Sequence, residues 1–322
     1  MKKKILIIIA AVVLAAGIAV VATMGGIGYF TYLAHGETVT APEPDKDGYI
    51  TVMSANIRRQ EKFFSTKKAD VGNHRWYRRA EYYLQNIALV QPDIFGAQEA
   101  QERQYKYLVK HMEGYGSVVT YRDDRGTRSE SCPIFYSEKR FKLLDSGTFW
   151  LSATPDVKYS KFEESTECRI ATYVILEDKQ NGDTYAVFNA HPDWDVKRGR
   201  DKELQVLATR IASISAEKAV DHIILFGDLN TDKHTEDGAK ALQVIDDILK
   251  DAKTFEGMKD YGVTFHNYGI DDPEDPQASL DYIYLSDGAE VRDLGKIDKT
   301  YGKDGKIYPS DHYPIYAKVK FN

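Results

Sequence analysis

Three apolar runs in this chain border residues able to handle a phosphate ester. Ile223-Ile224-Leu225-Phe226 leads through Gly227 into Asp228-Leu229-Asn230. Asn189-Ala190-His191-Pro192-Asp193 closes a second run, and Ser310-Asp311-His312-Tyr313-Pro314 opens a third. If the first strand continues through Asn230, Asp228 and Asn230 point the same way, because side chains two apart share a face. A carboxylate beside an amide suits a phosphate with a metal ion next to it. Taken alone, this stretch reads first as a strand and a polar turn, since Asp and Asn are ordinary turn formers. Recurrence at three strand ends favours chemistry. Gly227 is expected to let the backbone turn or be approached closely.

The elements that must position these residues follow from periodicity. Tyr49 to Asn56 is strand-like and ends in Asn56, and Ile94-Phe95-Gly96-Ala97-Gln98-Glu99 ends in a carboxylate. Between them, Trp76 to Val90 puts Ala80, Tyr83, Leu84 and Ile87 on one helical stripe and stops before Pro92. Pro133 to Tyr136, Phe141 to Leu144, Gly147 to Leu151, Arg169 to Leu176 and Thr184 to Asn189 read as antiparallel strands, with Asn181-Gly182 as a hairpin signal. Lys202 to Ser215 and Ala239 to Leu249 predict helices, and Leu280 to Leu285 and Tyr313 to Phe321 predict closing strands. The expected fold class is α/β (α+β), with two packed mixed sheets covered by helices.

The N-terminus is a separate object. Ile5 to Ala34 carries no charge and follows Lys2, Lys3 and Lys4, which predicts a membrane-spanning anchor with the lysines inside and the remainder outside the cell. A secreted form after signal cleavage is the alternative. Residues 36–48, with Pro42, Pro44 and several acids, read as an exposed linker, leaving 49–322 as one domain. The 322-residue chain has a net charge of −6, which weighs against a non-specific nucleic-acid binder. Its two cysteines, Cys132 and Cys168, are either paired or free and buried.

Gln98-Glu99, Gly227-Asp228-Leu229-Asn230, Leu280-Asp281-Tyr282 and Ser310-Asp311-His312-Tyr313-Pro314 resemble, in kind and order, the endonuclease/exonuclease/phosphatase superfamily with its deoxyribonuclease I-like fold. Trp76-Tyr77-Arg78-Arg79, Cys132-Pro133-Ile134-Phe135-Tyr136 and Phe149-Trp150-Leu151-Ser152 are similar to its bacterial metal-dependent hydrolase branch. The sequence departs from that branch at Pro192-Asp193-Trp194, which changes the pocket beside His191. The resemblance implies a four-layer sandwich and a phosphoesterase in which Glu99 holds Mg²⁺, with Mn²⁺ as a substitute, and Asn56 and Asp311 lie in or near the metal's shell.

Within that scheme Asp228 orients or deprotonates the attacking water, and Asn230 and His191 donate to phosphate oxygens. His312 paired with Asp281 serves as base or as charged phosphate clamp. Glu130 is a secondary candidate to support a histidine, or else a solvated charge near Arg125 and Arg128; Arg169 either reaches a phosphate or, the favoured reading, is an exposed strand arginine, and Asp193 is a further candidate. Trp194 either stacks on a base or sugar or covers the core. His74, His111, His222, His234 and His266 lack metal-ligand spacing. The predicted substrate is a phosphodiester or phosphomonoester: a lipid headgroup, a sugar phosphate or nucleic acid. An extracellular nuclease and a catalytically silent tethered binding module are the alternatives, and no protein partner is predicted.

Overall fold

The computed structural model describes residues 11–15, 17, 36–60, 65, 67–195, 199–270, 272, 273 and 276–322. The order is β1 (Val39–Thr40), β2 (Ile50–Asn56), α1 (Trp76–Val90), β3 (Ile94–Gln98), α2 (Glu102–His111), β4 (Met112–Glu113), β5 (Tyr115–Val118), β6 (Ile134–Ser137) and β7 (Phe141–Trp150). It continues with β8 (Ile170–Asp178), β9 (Thr184–Ala190), α3 (Arg200–Lys218), β10 (His222–Asp228), α4 (Glu236–Asp246), β11 (Lys250–Asp251), β12 (Asp281–Leu285), β13 (Ala289–Lys296) and β14 (Ile315–Phe321). One sheet runs β13-β14-β2-β3-β6-β5 and the other β11-β12-β10-β9-β8-β7.

Alternation along the strands makes four layers. Val52, Ile94, Val187, Ile224 and Ile283 point between the sheets into a shared core. Their neighbours point outward: Met53 and Phe95 meet Trp76, Tyr83 and Tyr107 of α1 and α2, and Phe188 and Leu225 meet Leu204, Ile211 and Leu242 of α3 and α4. Central strands are therefore apolar on both faces, which is why they read as continuous runs. Gly96 lets the sheets close at their centre, since a Cβ there would lie 2.0 Å from the Phe226 ring. At Gly227 close approach is the reason for glycine, because a Cβ would lie 2.1 Å from the Ala190 carbonyl oxygen on the next strand.

Several expectations are corrected. Phe141 to Leu144 and Gly147 to Trp150 belong to one strand, β7, which stops short of Leu151 and whose register shifts at a bulge between Leu143 and Asp145. Strand β3 stops at Gln98 because Glu99 takes a left-handed φ of 61°. Strand β10 likewise stops at Asp228, and Asn230 has a φ of 49°, so the pair does not share a face through strand alternation. Residues 36–48 are not a free linker: Val39–Thr40 pairs with Met112–Glu113, Val39 and Ala41 are buried, and Asp45 binds Lys318 at 2.6 Å. Among the described residues no helix is long and apolar enough to cross a membrane. Apart from 11–15 and 17, the Ile5 to Ala34 run lies outside the described residues.

Candidate active site

Strand direction gathers the chemistry at one edge. In the first sheet β2 and β3 are parallel and β14 antiparallel to β2; in the second β9 and β10 are parallel and β12 antiparallel to β10. Four strand exits and two strand entrances therefore share this edge. Asn56 and Asp228 end their strands, Glu99 and His191 follow theirs directly, Asp281 begins β12, and Asp311 and His312 precede β14. Asn56, His191, Asp228, Asp281, Asp311 and His312 are all buried.

Asp228 is the hub. Its Oδ2 accepts from the Asn56 amide at 2.9 Å and lies 3.6 Å from Nε2 of both His191 and His312. On its far side the His312 ring is held by a 2.8 Å hydrogen bond between Nδ1 and Asp281 Oδ2. The Asn56 amide also donates to Glu99 Oε1 at 3.2 Å, which links the two sheets' contributions. Asn230 stays beside the hub, its backbone N–H donating to Asp228 Oδ1 at 2.9 Å, while its side-chain amide donates to the Pro192 carbonyl at 2.9 Å.

These contacts set the charges. Burial raises Asp228 to about 7, with nearby Asp281 adding to the rise against the pull of His312. Burial works against a charged His312, yet Asp281 and Asp228 outweigh it and lift the imidazole to about 10. His191 is pushed well below the usual histidine value by burial and then by Arg169. Burial alone would raise Glu99, but Arg58 and Arg59 hold it well below the ordinary carboxylate range. The site thus opposes a charged and a neutral imidazole across one carboxyl group.

Arg58 and Arg59 were not singled out from the sequence, although adjacent cations just past a strand end in an acidic chain were the available signal. The Arg58 guanidinium lies between Glu99 Oε2 at 3.9 Å and Asp311 Oδ2 at 3.4 Å, and the Arg59 N–H donates to Glu99 Oε2 at 2.9 Å. A cation already sits against an ionised oxygen pair, and its buried Nε has no hydrogen-bond partner. Hard oxygen donors around a place that favours positive charge fit Mg²⁺ or Mn²⁺. Asp228, Asp281 and His312 also bring donor atoms within 4.8 Å of one another. Within that grouping His312 Nδ1 and Asp281 Oδ2 are joined by a hydrogen bond, while His312 Nε2 faces Asp228.

Three further residues support the site. Gln98 donates to Asn189 at 2.7 Å across the sheets, and Asn189 returns bonds to the Ala97 and Pro133 carbonyls at 2.9 Å each. Arg79, fully buried on α1, donates to the carbonyls of His74, Ile57, Pro309, Arg58 and Arg59. It ties the loop after Asn56 to the loop before Asp311. Such a role is invisible in a helical stripe, because an arginine there reads as solvent-facing.

Of the secondary candidates, Glu130 is buried and pairs with Arg122 at 2.9 Å and Arg59 at 3.4 Å, with no histidine contact among the described pairs. Arg169 reaches 3.4 Å from both ring nitrogens of His191, and Asp193 lies 3.6 Å behind it. Trp194 is 62% exposed, so it does not cover the core. His222 stacks on Phe321 and His266 on Tyr313, whereas exposed His234 pairs with Asp232 and Asp260. Both cysteines are free and pack with Trp150 and Ile170.

Residues 53–312 match the Endonuclease/Exonuclease/phosphatase family. The chain resembles the endonuclease/exonuclease/phosphatase structure from Bacteroides vulgatus, at 25% identity and a TM-score of 0.73 over 85% of this chain and 99% of that one. It is also similar to a mannosyl-6-phosphatase from Bacteroides thetaiotaomicron, at 26% identity and a TM-score of 0.71 over 84% of this chain and all of that one, 100%. Among curated proteins, it is 30% identical over 137 residues to the CCR4-Not complex 3'-5'-exoribonuclease subunit Ccr4 of Mycosarcoma maydis. That stretch is 37% of this chain and spans only 20% of the relative.

Proposed function

This chain belongs to the endonuclease/exonuclease/phosphatase family of phosphoric ester hydrolases, and on that premise we propose a Mg²⁺-dependent phosphoesterase that works by in-line attack of water. The observation that carries the reading is Asp228, held 3.6 Å from two imidazoles and hydrogen-bonded to the amide that also touches Glu99. Glu99, Asn56 and Asp311 would hold the ion, which supplies Lewis-acid stabilisation of charge on phosphate oxygen.

The protein's own groups do the rest. Asp228 accepts a hydrogen bond from the attacking water, orienting it and receiving its proton. His312, oriented by Asp281, clamps a phosphate oxygen, and His191 and Asn230 flank the same phosphate. The substrate is a phosphodiester or phosphomonoester, such as a sugar phosphate, a lipid headgroup or nucleic acid. Asp228→Ala or His312→Ala should abolish Mg²⁺-dependent hydrolysis of bis(p-nitrophenyl) phosphate without unfolding the chain. Full activity in both variants would overturn the assignment.

The uncharged run from Ile5 to Ala34 behind three lysines supports a location on the outer face of the cell membrane, with Mg²⁺ or Mn²⁺ drawn from outside. Recovery of the intact chain in the soluble cell fraction would refute that placement.

A further inference from the structure

Arg169 is a buried cation with an unfinished set of partners. It is only 6% exposed, and its Nε has no hydrogen-bond partner. Its carboxylate neighbour, Asp193, stays at 3.6 Å, beyond hydrogen-bond length. Asp193 is committed elsewhere: its oxygens accept from the Thr166 N–H at 2.6 Å, the Thr166 hydroxyl at 2.7 and 2.8 Å, and the Trp194 N–H at 2.8 Å. What Arg169 Nη1 does face is the His191 ring, at 3.4 Å. Neutral imidazole cannot balance a guanidinium, and a buried charge is costly unless an anion meets it.

Arg122 is a second buried guanidinium nearby, but one that carboxylates hold in place. It is 3% exposed, its Nε is likewise without a hydrogen-bond partner, and Arg169 is near enough to repel it. Its counterions are shared: Glu130 also serves Arg59, and Glu167 also serves Arg125. Asp123 lies 3.8 Å from the Arg122 Nε. Two nearly buried guanidinium groups thus stand beside His191: Arg122 is held by carboxylates, whereas Arg169 has a carboxylate no nearer than 3.6 Å among the described pairs, and His191 adjoins the Asp228 hub.

We propose that Arg169, backed by Arg122, binds the terminal oxygens of a dianionic phosphate, so that this chain is a phosphomonoesterase. The proposal rests on the phosphoesterase reading above and narrows it. A monoester phosphate brings two negative charges and three unesterified oxygens at neutral pH, whereas a diester brings one charge and a second bulky arm. Arginine's planar fork suits the former, offering parallel donors to two oxygens.

The test compares two esters with one leaving group, 4-nitrophenyl phosphate and its methyl diester, hydrolysed by the full-length chain with Mg²⁺. The wild type should prefer the monoester by at least about 100-fold in kcat/KM, the scale of one preorganised donor to developing phosphate charge. That preference should fall as pH drops through about 6, where the monoester dianion takes up one proton and becomes a monoanion. Because the added methyl group is the same at every pH, the pH dependence of the ratio reports substrate charge. Arg169→Met should lower kcat/KM for the monoester at least about 10-fold more than for the diester, and Arg169→Lys, which keeps charge without the fork, should fall between. Equal wild-type turnover of both esters, or an equal loss on both in Arg169→Met with unchanged thermal unfolding, would overturn the clamp alone. Hydrolysis of neither ester would overturn the phosphoesterase reading and the clamp with it.

Discussion

Replacing Arg79 with methionine should damage the metal site without touching a ligand. The guanidinium donates to His74 O at 2.7 Å, Arg58 O at 2.7 Å, Pro309 O at 2.9 Å and Arg59 O at 3.3 Å, and also to Ile57 O. At about 1 kcal/mol net for each bond, the loss approaches 5 kcal/mol, a large part of a typical domain stability of about 5–15 kcal/mol. Methionine refills most of the volume against Trp76, so cavity formation adds little. Three of the carbonyls follow Asn56 and one precedes Asp311, so Mg²⁺ and Mn²⁺ affinity should fall about 10- to 100-fold, as when outer partners of metal ligands are removed.

Arg140→Met is the control. Arg140 is 1% exposed and bonds Tyr49 O, Gly48 O and Asp178, all at the opposite ends of the strands. Its loss should destabilise on a similar scale and leave metal affinity alone. Denaturant midpoints and calorimetric metal titration, taken where both variants are folded, give the two readouts. Unchanged metal affinity in Arg79→Met, or an equal drop in Arg140→Met, would refute the idea that Arg79 positions the site.

Two further outcomes are expected. Glu99→Gln should weaken Mg²⁺ binding about 10-fold or more and chelation of the wild type should abolish turnover; calorimetry showing native affinity in the variant would remove Glu99 from the ion's ligands. Glu203, fully buried on α3, accepts from Ser165 Oγ and the Asp193 N–H, each at 2.6 Å, and burial raises it to about 7 from 4.5. Because its folded pKa is the higher one, its contribution to stability is complete below about 4.5 and is lost as pH rises through about 7, amounting to about 3 kcal/mol. Thermal unfolding of Glu203→Gln should therefore lack that part of the pH slope, and identical slopes in both proteins would contradict the assignment.

Much of the site was legible because catalytic polar groups interrupt apolar strands at their ends. Asn56, Glu99, His191, Asp228, Asp281, Asp311 and His312 each stand at such a break, and the β-α-β start and helices α1 and α3 followed from periodicity. Helix α2 did not, since it buries Gln104 and His111 beside Tyr107 and Leu108 and so lacks a clean apolar stripe.

Local sequence determined which residues could do chemistry and on which kind of element each sits. It could not decide their partners, because those are supplied across two sheets. The His312–Asp281 pair was expected from the resemblance and is present at 2.8 Å, but only the packed structure placed a guanidinium beside His191, leaving that imidazole neutral opposite a charged one. Only the packed structure revealed Arg79, named in the sequence as part of Trp76-Tyr77-Arg78-Arg79, as a buried clamp. The physical reason is that charge state and hydrogen bonding depend on distances of a few Å between strand ends, and those distances are fixed by strand order and register.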